Sequence, residues 1–160
     1  MGMKHTLSVL VENKPGVLAR VAELFARRGF NIESLAVGTT EKPDISRMTI
    51  VVDVAEHSLE QVRKQLHKLI NVIEIVDLDP ESSVAREMVM VKVKADTSNR
   101  SEIIEIADIF RGNIVDVSRE SITVEVTGNA SKLSAFEDLV KPYGIKELVR
   151  TGKVALPRGR

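Results

Sequence analysis

The strongest constraint on the fold is an order of elements, strand, helix, strand, strand, helix, strand, that reads twice along the chain on either side of a polar break. In the first copy Thr6 to Glu12 alternates and puts Leu7, Val9 and Val11 on one face, the period of a half-buried strand. Pro15 suits a first helical turn, Val17, Leu18, Val21, Leu24 and Phe25 recur at helical spacing, and Gly29 is placed to stop the helix. Ile32 to Thr39 and Arg47 to Val54 read as strands, joined by a polar stretch (40–46) that holds Pro43 and Asp44 and predicts a hairpin. Ser58 with Gln61 forms a capping-box signature ahead of Leu59, Val62, Leu66 and Leu69, and Val72 to Leu78 closes the unit as a strand.

Residues 79–83, Asp-Pro-Glu-Ser-Ser, form the break and place the domain boundary between 1–79 and 80–160. The order then restarts with a strand over Met88 to Ala95, a helix over Ser101 to Phe110 and strands over Ile114 to Ser118 and Ser121 to Thr127, turning at Arg119-Glu120. Leu133, Phe136 and Val140 mark the last helix, Pro142 and Gly144 end it, and Ile145 to Arg150 supplies the last strand. The expected class is α+β, two tandem ferredoxin-like βαββαβ modules, each a four-stranded antiparallel sheet with both helices on one face. Such a module leaves its other sheet face bare, so that face or a strand edge is expected to be covered by another module or protomer.

Several functions are excluded or weakened by composition. Of 160 residues 43% are hydrophobic, enough for packed cores, and Lys plus Arg equals Asp plus Glu at 23 each, so no net field draws the chain to nucleic acid or acidic lipid. No cysteine is present, which removes disulfides, thiolate metal sites and a cysteine nucleophile. The start, Met1, Gly2, Met3, Lys4, His5, leads into an alternating segment with no apolar stretch for a signal peptide or a span, so a soluble intracellular protein is expected. On that reading the sequons at Asn99 and Asn129 carry no meaning. His5, His57 and His67 lack metal-ligand spacing and read as surface histidines. Gly152-Lys153 resembles the end of a phosphate-binding loop, but Glu147 stands where its first glycine belongs. No GxSxG or triad-like cluster appears, and the strand from Arg47 to Val54 has no aromatic on which an RNA base could stack.

One loop suggests a ligand. Asn13-Lys14-Pro15-Gly16-Val17-Leu18 joins the first strand to the first helix, where free amides and the helix dipole suit a carboxylate. Gly16 would let an anion approach the amides of Val17 and Leu18, the Asn13 amide could accept from an α-ammonium, and Val17 and Leu18 offer apolar surface to an aliphatic side chain. The competing reading, which spacing alone favours, is that Asn13 caps the helix, Pro15 begins it and Gly16 eases the turn. Asn31, after Gly29, is equally open between a ligand contact and a turn residue.

The run HTLSVLVENKPGVLARVAELFARRGFNIESLAVG closely resembles the N-terminal ACT domain of the regulatory (small) subunits of acetolactate synthase, also called acetohydroxyacid synthase. SRMTIVV, KQLHKLINV, REMVMVKV, IFRGNIVDVS and ELVRTGKVAL resemble that family's later motifs in their usual order, over almost the whole chain. The resemblance implies an N-terminal ACT domain that binds effector and dimerises, and a C-terminal ACT-like domain, without the NxPG element, for assembly and contact with the catalytic subunit. It implies a catalytic large subunit using thiamine diphosphate, magnesium and FAD to condense two pyruvates, or pyruvate with 2-oxobutyrate, with no cofactor or metal on this chain. It further implies activation of that subunit and feedback inhibition in branched-chain amino acid biosynthesis, by valine, or else leucine or isoleucine, bound between paired ACT domains. The effector residues carried over are Asn13, Lys14, Pro15, Gly16, Val17 and Leu18, with Asn31 and Ile32 coming from a facing protomer. The implied compartment is the cytoplasm, or the plastid stroma for a photosynthetic eukaryote. Two other readings stand beside it: a free-standing ACT-domain sensor controlling another enzyme or a transcription factor, and a chain that is itself an enzyme.

Overall fold

The computed structural model describes residues 3–159, apart from the side chains of Glu56 and His57, so the readings made at Met1 and Gly2 and of the His57 side chain lie outside the described residues. Two compact units are formed, Met1–Ala85 with Gly152–Arg160, and Arg86–Thr151. The sequence break at 79–83 holds a short 3-10 turn, Pro80–Ser82, with Asp79 accepting from the Glu81 amide at 3.0 Å. The division between units falls a few residues later, and the chain's last residues return to the first unit.

In the first unit the elements are β1 (Met3–Glu12), α1 (Val17–Arg27), β2 (Ile32–Thr39), β3 (Ile45–Val54), α2 (Glu56–His67) and β4 (Val72–Leu78). Strand order is β2-β3-β1-β4 with every pairing antiparallel, the ferredoxin-like arrangement. Alternation sets the register: Leu7 pairs with Ile50 and Val9 with Met48, so the apolar sets of the two central strands share a face. That face packs on Val21 and Phe25 of α1 and on Leu59, Val62 and Leu66 of α2. Each is 0–1% exposed, and full burial of such a side chain contributes roughly 1.5–3 kcal/mol.

Local stops and starts follow the backbone more than the side chains. Gly29, at φ +71°, closes α1 in a Schellman motif: its amide donates to Ala26 and that of Phe30 to Phe25, both at 3.0 Å. Pro15 is not in the first helical turn, because Gly16 at φ +85°, ψ −10° is the N-cap and the helix begins at Val17. The Ser58–Gln61 capping box does not form either. The carbonyl of Ala55 takes the amides of Ser58 and Leu59, both at 3.0 Å, so α2 starts at Glu56 and Ser58 lies inside its first turn.

In the second unit β5 (Ser83–Lys94, its first residues belonging to the first unit), α3 (Arg100–Ile109), β6 (Asn113–Val117), β7 (Ser121–Gly128), α4 (Ala130–Val140) and β8 (Ile145–Arg150) repeat the order, with strands arranged β6-β7-β5-β8, again antiparallel. Val91 pairs with Val124 and with Leu148; the core closes over Val91 and Val124 with Ile103, Ala107, Leu133 and Phe136, while Leu148 stays exposed. Phe110 meets the Phe136 ring edge-on, centroids 5.5 Å apart. Asn129 caps α4 through the Lys132 amide at 2.9 Å, and the turn at Arg119-Glu120 is closed by the Ser118 amide on Ser121 at 2.9 Å. The unit's ends are clamped: the Thr151 amide donates to the Met88 carbonyl and the Met88 amide to Thr151 Oγ1, both at 2.9 Å.

An additional short strand, β9 (Val154–Pro157), has no counterpart in the sequence reading. It belongs to the returning tail of the first unit. The Lys153 amide donates to Ser34 Oγ at 2.7 Å, and the Arg158 amide donates to the Ser82 carbonyl at 2.7 Å. Ser34 pairs with Val51, and Leu35 with the core residue Ile50, so the tail reaches the sheet face away from the helices. That face, expected to need another module or protomer, is met in part by the chain's own end. No helix among the described residues is long and apolar enough to cross a membrane.

Candidate functional site

The loop between β1 and α1 is built by backbone bonds to distant segments. Glu12 donates its amide to the Asn71 carbonyl at 2.9 Å and Asn13 its amide to the Asp44 carbonyl at 2.8 Å. Asn13 Nδ2 donates to the Pro43 carbonyl at 3.0 Å, so the side chain ties this loop to the β2–β3 connection. Asn13 does not cap α1: no side chain does. With Nδ2 committed, Oδ1 is the atom left to accept from a ligand ammonium.

At Gly16 the left-handed backbone turns the chain into α1, and a Cβ added there would meet nothing within 4 Å. Open space therefore lies over the helix start. The Val17 amide reaches the Lys14 carbonyl at 3.4 Å, and the first helical bond runs from the Arg20 amide to Gly16 at 3.1 Å. Leu18 and Ala19 thus carry the amides that, among the described residues, have no partner, one position later than the sequence suggests. Val17 is 4% exposed and belongs to the core, which leaves Leu18, 44% exposed, to offer apolar surface. The Lys14 ammonium sits 2.7 Å from the Glu12 carboxylate, an exposed pair of small energetic weight. Pro15 is exposed at the turn.

Asn31 and Ile32 are not brought to this loop. Ile32 pairs with Val52, whereas Glu12 pairs with Ile45. Seven residues along β3 separate those levels, roughly 23 Å at ~3.3 Å per residue. Asn31 is exposed and Ile32 half-buried at that far end.

Sequence reasoning misses Asn71. Only 8% exposed, it accepts from Arg20 Nη1 at 2.7 Å through Oδ1, while its carbonyl takes Glu12. One buried amide thereby fastens α1, the end of β1 and the approach to β4, and no spacing rule links Arg20 to a residue 51 positions away.

Elsewhere the displaced titrations are surface ones. The Glu147 carboxylate, hydrogen-bonded at 2.6 Å, raises the Lys92 pKa, and the ammonium lowers that of Glu147. Each is held in its charged form, the behaviour of a solvated ion pair and not the tuning of an acid–base catalyst. Among the described residues no three His, Cys, Asp or Glu side chains are grouped to hold a metal ion. Gly152-Lys153 leads into β9, not into a helix that could bind phosphate.

Comparison with known proteins assigns both halves of the chain. A family profile described as AHAS small subunit-like ACT domain matches residues 7–74, and one described as small subunit of acetolactate synthase matches residues 86–159. The acetolactate synthase small subunit of Mycobacterium bovis is 61% identical over 155 residues, 97% of this chain and 92% of that one. The probable acetolactate synthase small subunit of Archaeoglobus fulgidus is 62% identical over 157 residues, 98% of each chain. The crystal structure of the acetolactate synthase small subunit from Thermotoga maritima superposes with a TM-score of 0.93 at 46% identity, covering 99% of both chains.

Proposed function

The chain belongs to the small-subunit family of acetolactate synthase, and from that premise we propose that it is a non-catalytic subunit that raises the activity of a catalytic large subunit and confers feedback inhibition by valine. Thiamine diphosphate, magnesium and FAD are held by the large subunit, which condenses two pyruvates to acetolactate and carbon dioxide. The first unit is the effector-binding, dimerising ACT domain and the second serves assembly and contact with the large subunit. The complex works in the cytoplasm, its relatives being bacterial and archaeal.

The observation that carries the effector reading is the open start of α1. Gly16 leaves room above the Leu18 and Ala19 amides, which suit the carboxylate of an amino acid, and Asn13 Oδ1 is free to take its ammonium. Leu18 supplies apolar surface for a short branched side chain, with Lys14, Pro15 and Val17 shaping the turn. Asn31 and Ile32, roughly 23 Å away along the strand in one chain, can join the site only from a second copy, which supports a homodimer through the ACT units. Valine then acts by binding one assembly state better than the other.

Isothermal titration of the purified chain with valine, leucine, isoleucine and the near-isosteric threonine tests this reading. Saturable binding with valine preferred over threonine is expected. Equal binding of threonine would remove the apolar part of the site, and no binding of any of the four, by the chain alone or with its large subunit, would remove the sensor.

A further inference from the structure

Beside the core, α1 and α2 each carry a second stripe. Along α1 and just past its end Arg20, Leu24, Arg27 and Arg28 recur at helical spacing, and along α2 Gln61, Lys64, Gln65 and Lys68 do the same. These stripes line an open groove between the helices, ≈ 430 Å³ where Leu24 and Leu69 form its floor. Past Arg28 and Lys68 it continues into a shallower hollow.

The groove's charge is lopsided. Arg20, Arg27, Arg28, Lys64 and Lys68 line it against the single carboxylate of Glu23, although the chain as a whole has equal numbers of acids and bases. Arg27 holds Glu23 at 3.0 Å and Arg20 holds Asn71. Arg28, Lys64 and Lys68 are exposed and make no ion pair among the described residues, so three cations at the groove's open end await a counter-charge.

We propose that this groove docks an acidic segment of the catalytic large subunit. The inference rests on the family reading for the existence of that partner and adds a contact surface on the first unit. An extended acidic partner suits the layout better than a small anion: the cations are strung over about two turns along α1, ~12 Å, and about one turn along α2, ~6 Å, on flexible exposed side chains. A nucleotide is disfavoured because no Phe, Tyr or Trp lines the groove, whose one ring is the His67 imidazole at the shallow end. Complementary charge of this kind steers association and fixes register. Since α1 also begins at the open loop, effector at its N-terminus and partner along its flank bear on one helix.

The test uses the full chain and the purified large subunit. In Arg28→Glu/Lys64→Glu/Lys68→Glu all three charges are reversed, and a triple Gln variant only neutralises them. Wild-type affinity for the large subunit is expected to fall as sodium chloride rises. The reversed variant is expected to bind about tenfold or more weakly at low salt with a flatter salt dependence, and the neutral one to fall between. Valine titration of the isolated variants should match wild type, which shows that the fold and the loop persist. A reversed variant with wild-type affinity and salt slope would overturn the proposal alone, whereas a wild-type chain that never binds the large subunit would overturn the family-based function with it. Saturable binding of inorganic triphosphate, lost on reversal while large-subunit affinity holds, would reassign the groove to a small anion and equally overturn it.

Discussion

Replacing Gly16 by Asp, with Asn as its matched neutral control, separates the charge of the loop from its shape. Both substitutions force a side chain onto a backbone at φ +85°, which costs about 1–2 kcal/mol for an ordinary residue and less for these two, and their Cβ meets no atom within 4 Å. Their stability losses should therefore be small and alike, so the difference between them is electrostatic. A carboxylate ~4 Å from that of bound valine is repelled by about 4 kcal/mol at an effective dielectric of ~20 and by about 1 kcal/mol in bulk water. The loop is exposed, so the effect lies between those limits, roughly fivefold to 1000-fold weaker binding. Isothermal titration with valine reads it directly, and thermal melts check that the two variants fold alike. Gly16→Asp should lose most valine affinity and leave activation of the large subunit in place, with Gly16→Asn close to wild type. If Asp and Asn bind valine equally, no carboxylate sits at the start of α1.

Gly152→Val should loosen the tail, because a Cβ there would lie 2.7 Å from the Leu35 carbonyl carbon, backbone that cannot give way. A loss of about 1–3 kcal/mol in urea unfolding is expected, with faster amide exchange at Lys153. Phe25→Ala, at a ring 1% exposed, should cost about 3–5 kcal/mol in the same experiment. Asn71→Ala removes the acceptor of Arg20 and should cost about 1–3 kcal/mol, restored in part by Arg20→Met in the double variant. The Asp96 carboxyl is held below the usual carboxylate range by the Ser98 hydroxyl, then by the Ser98 amide at 2.8 Å. Its pKa is lower folded than unfolded, so its stabilisation is present above ~3.9 and is lost as pH falls through the folded value. Asp96→Asn should flatten the acid limb of the urea midpoint measured from pH 6 to 3, and an unchanged limb would refute this.

Most of the architecture was legible because one-sided burial writes itself as period. Leu7, Val9 and Val11 alternate since only one face of β1 meets the helices, and Val21 and Phe25 repeat at helical spacing for the same reason. Caps were less legible. Ser58 and Gln61 spell a capping box, but the Ala55 carbonyl captures two amides first, a backbone event that no side-chain pattern announces. β9 was invisible because four residues with only Ala155 buried have no period to read. At the candidate site the chemistry of the loop could be named from residue types, but not what fixes it: Asn13 reaches Pro43 rather than the helix, and Asn71 is found only once the chain has folded.

The return of the tail gives the molecule a timetable. The first unit consists of residues up to Ala85 and from Gly152 onward, so the strand that completes it is made only after the whole second unit has been translated. At ~5–20 residues per second, the 66 intervening residues leave roughly 3–13 s in which the Ser34 hydroxyl and the Ser82 carbonyl lack their final partners. During that interval the nascent first sheet shows an open face, and a second chain at the same stage is a competing cover for it. On the proposed pairing of two ACT units, assembly between copies would begin before either copy is finished.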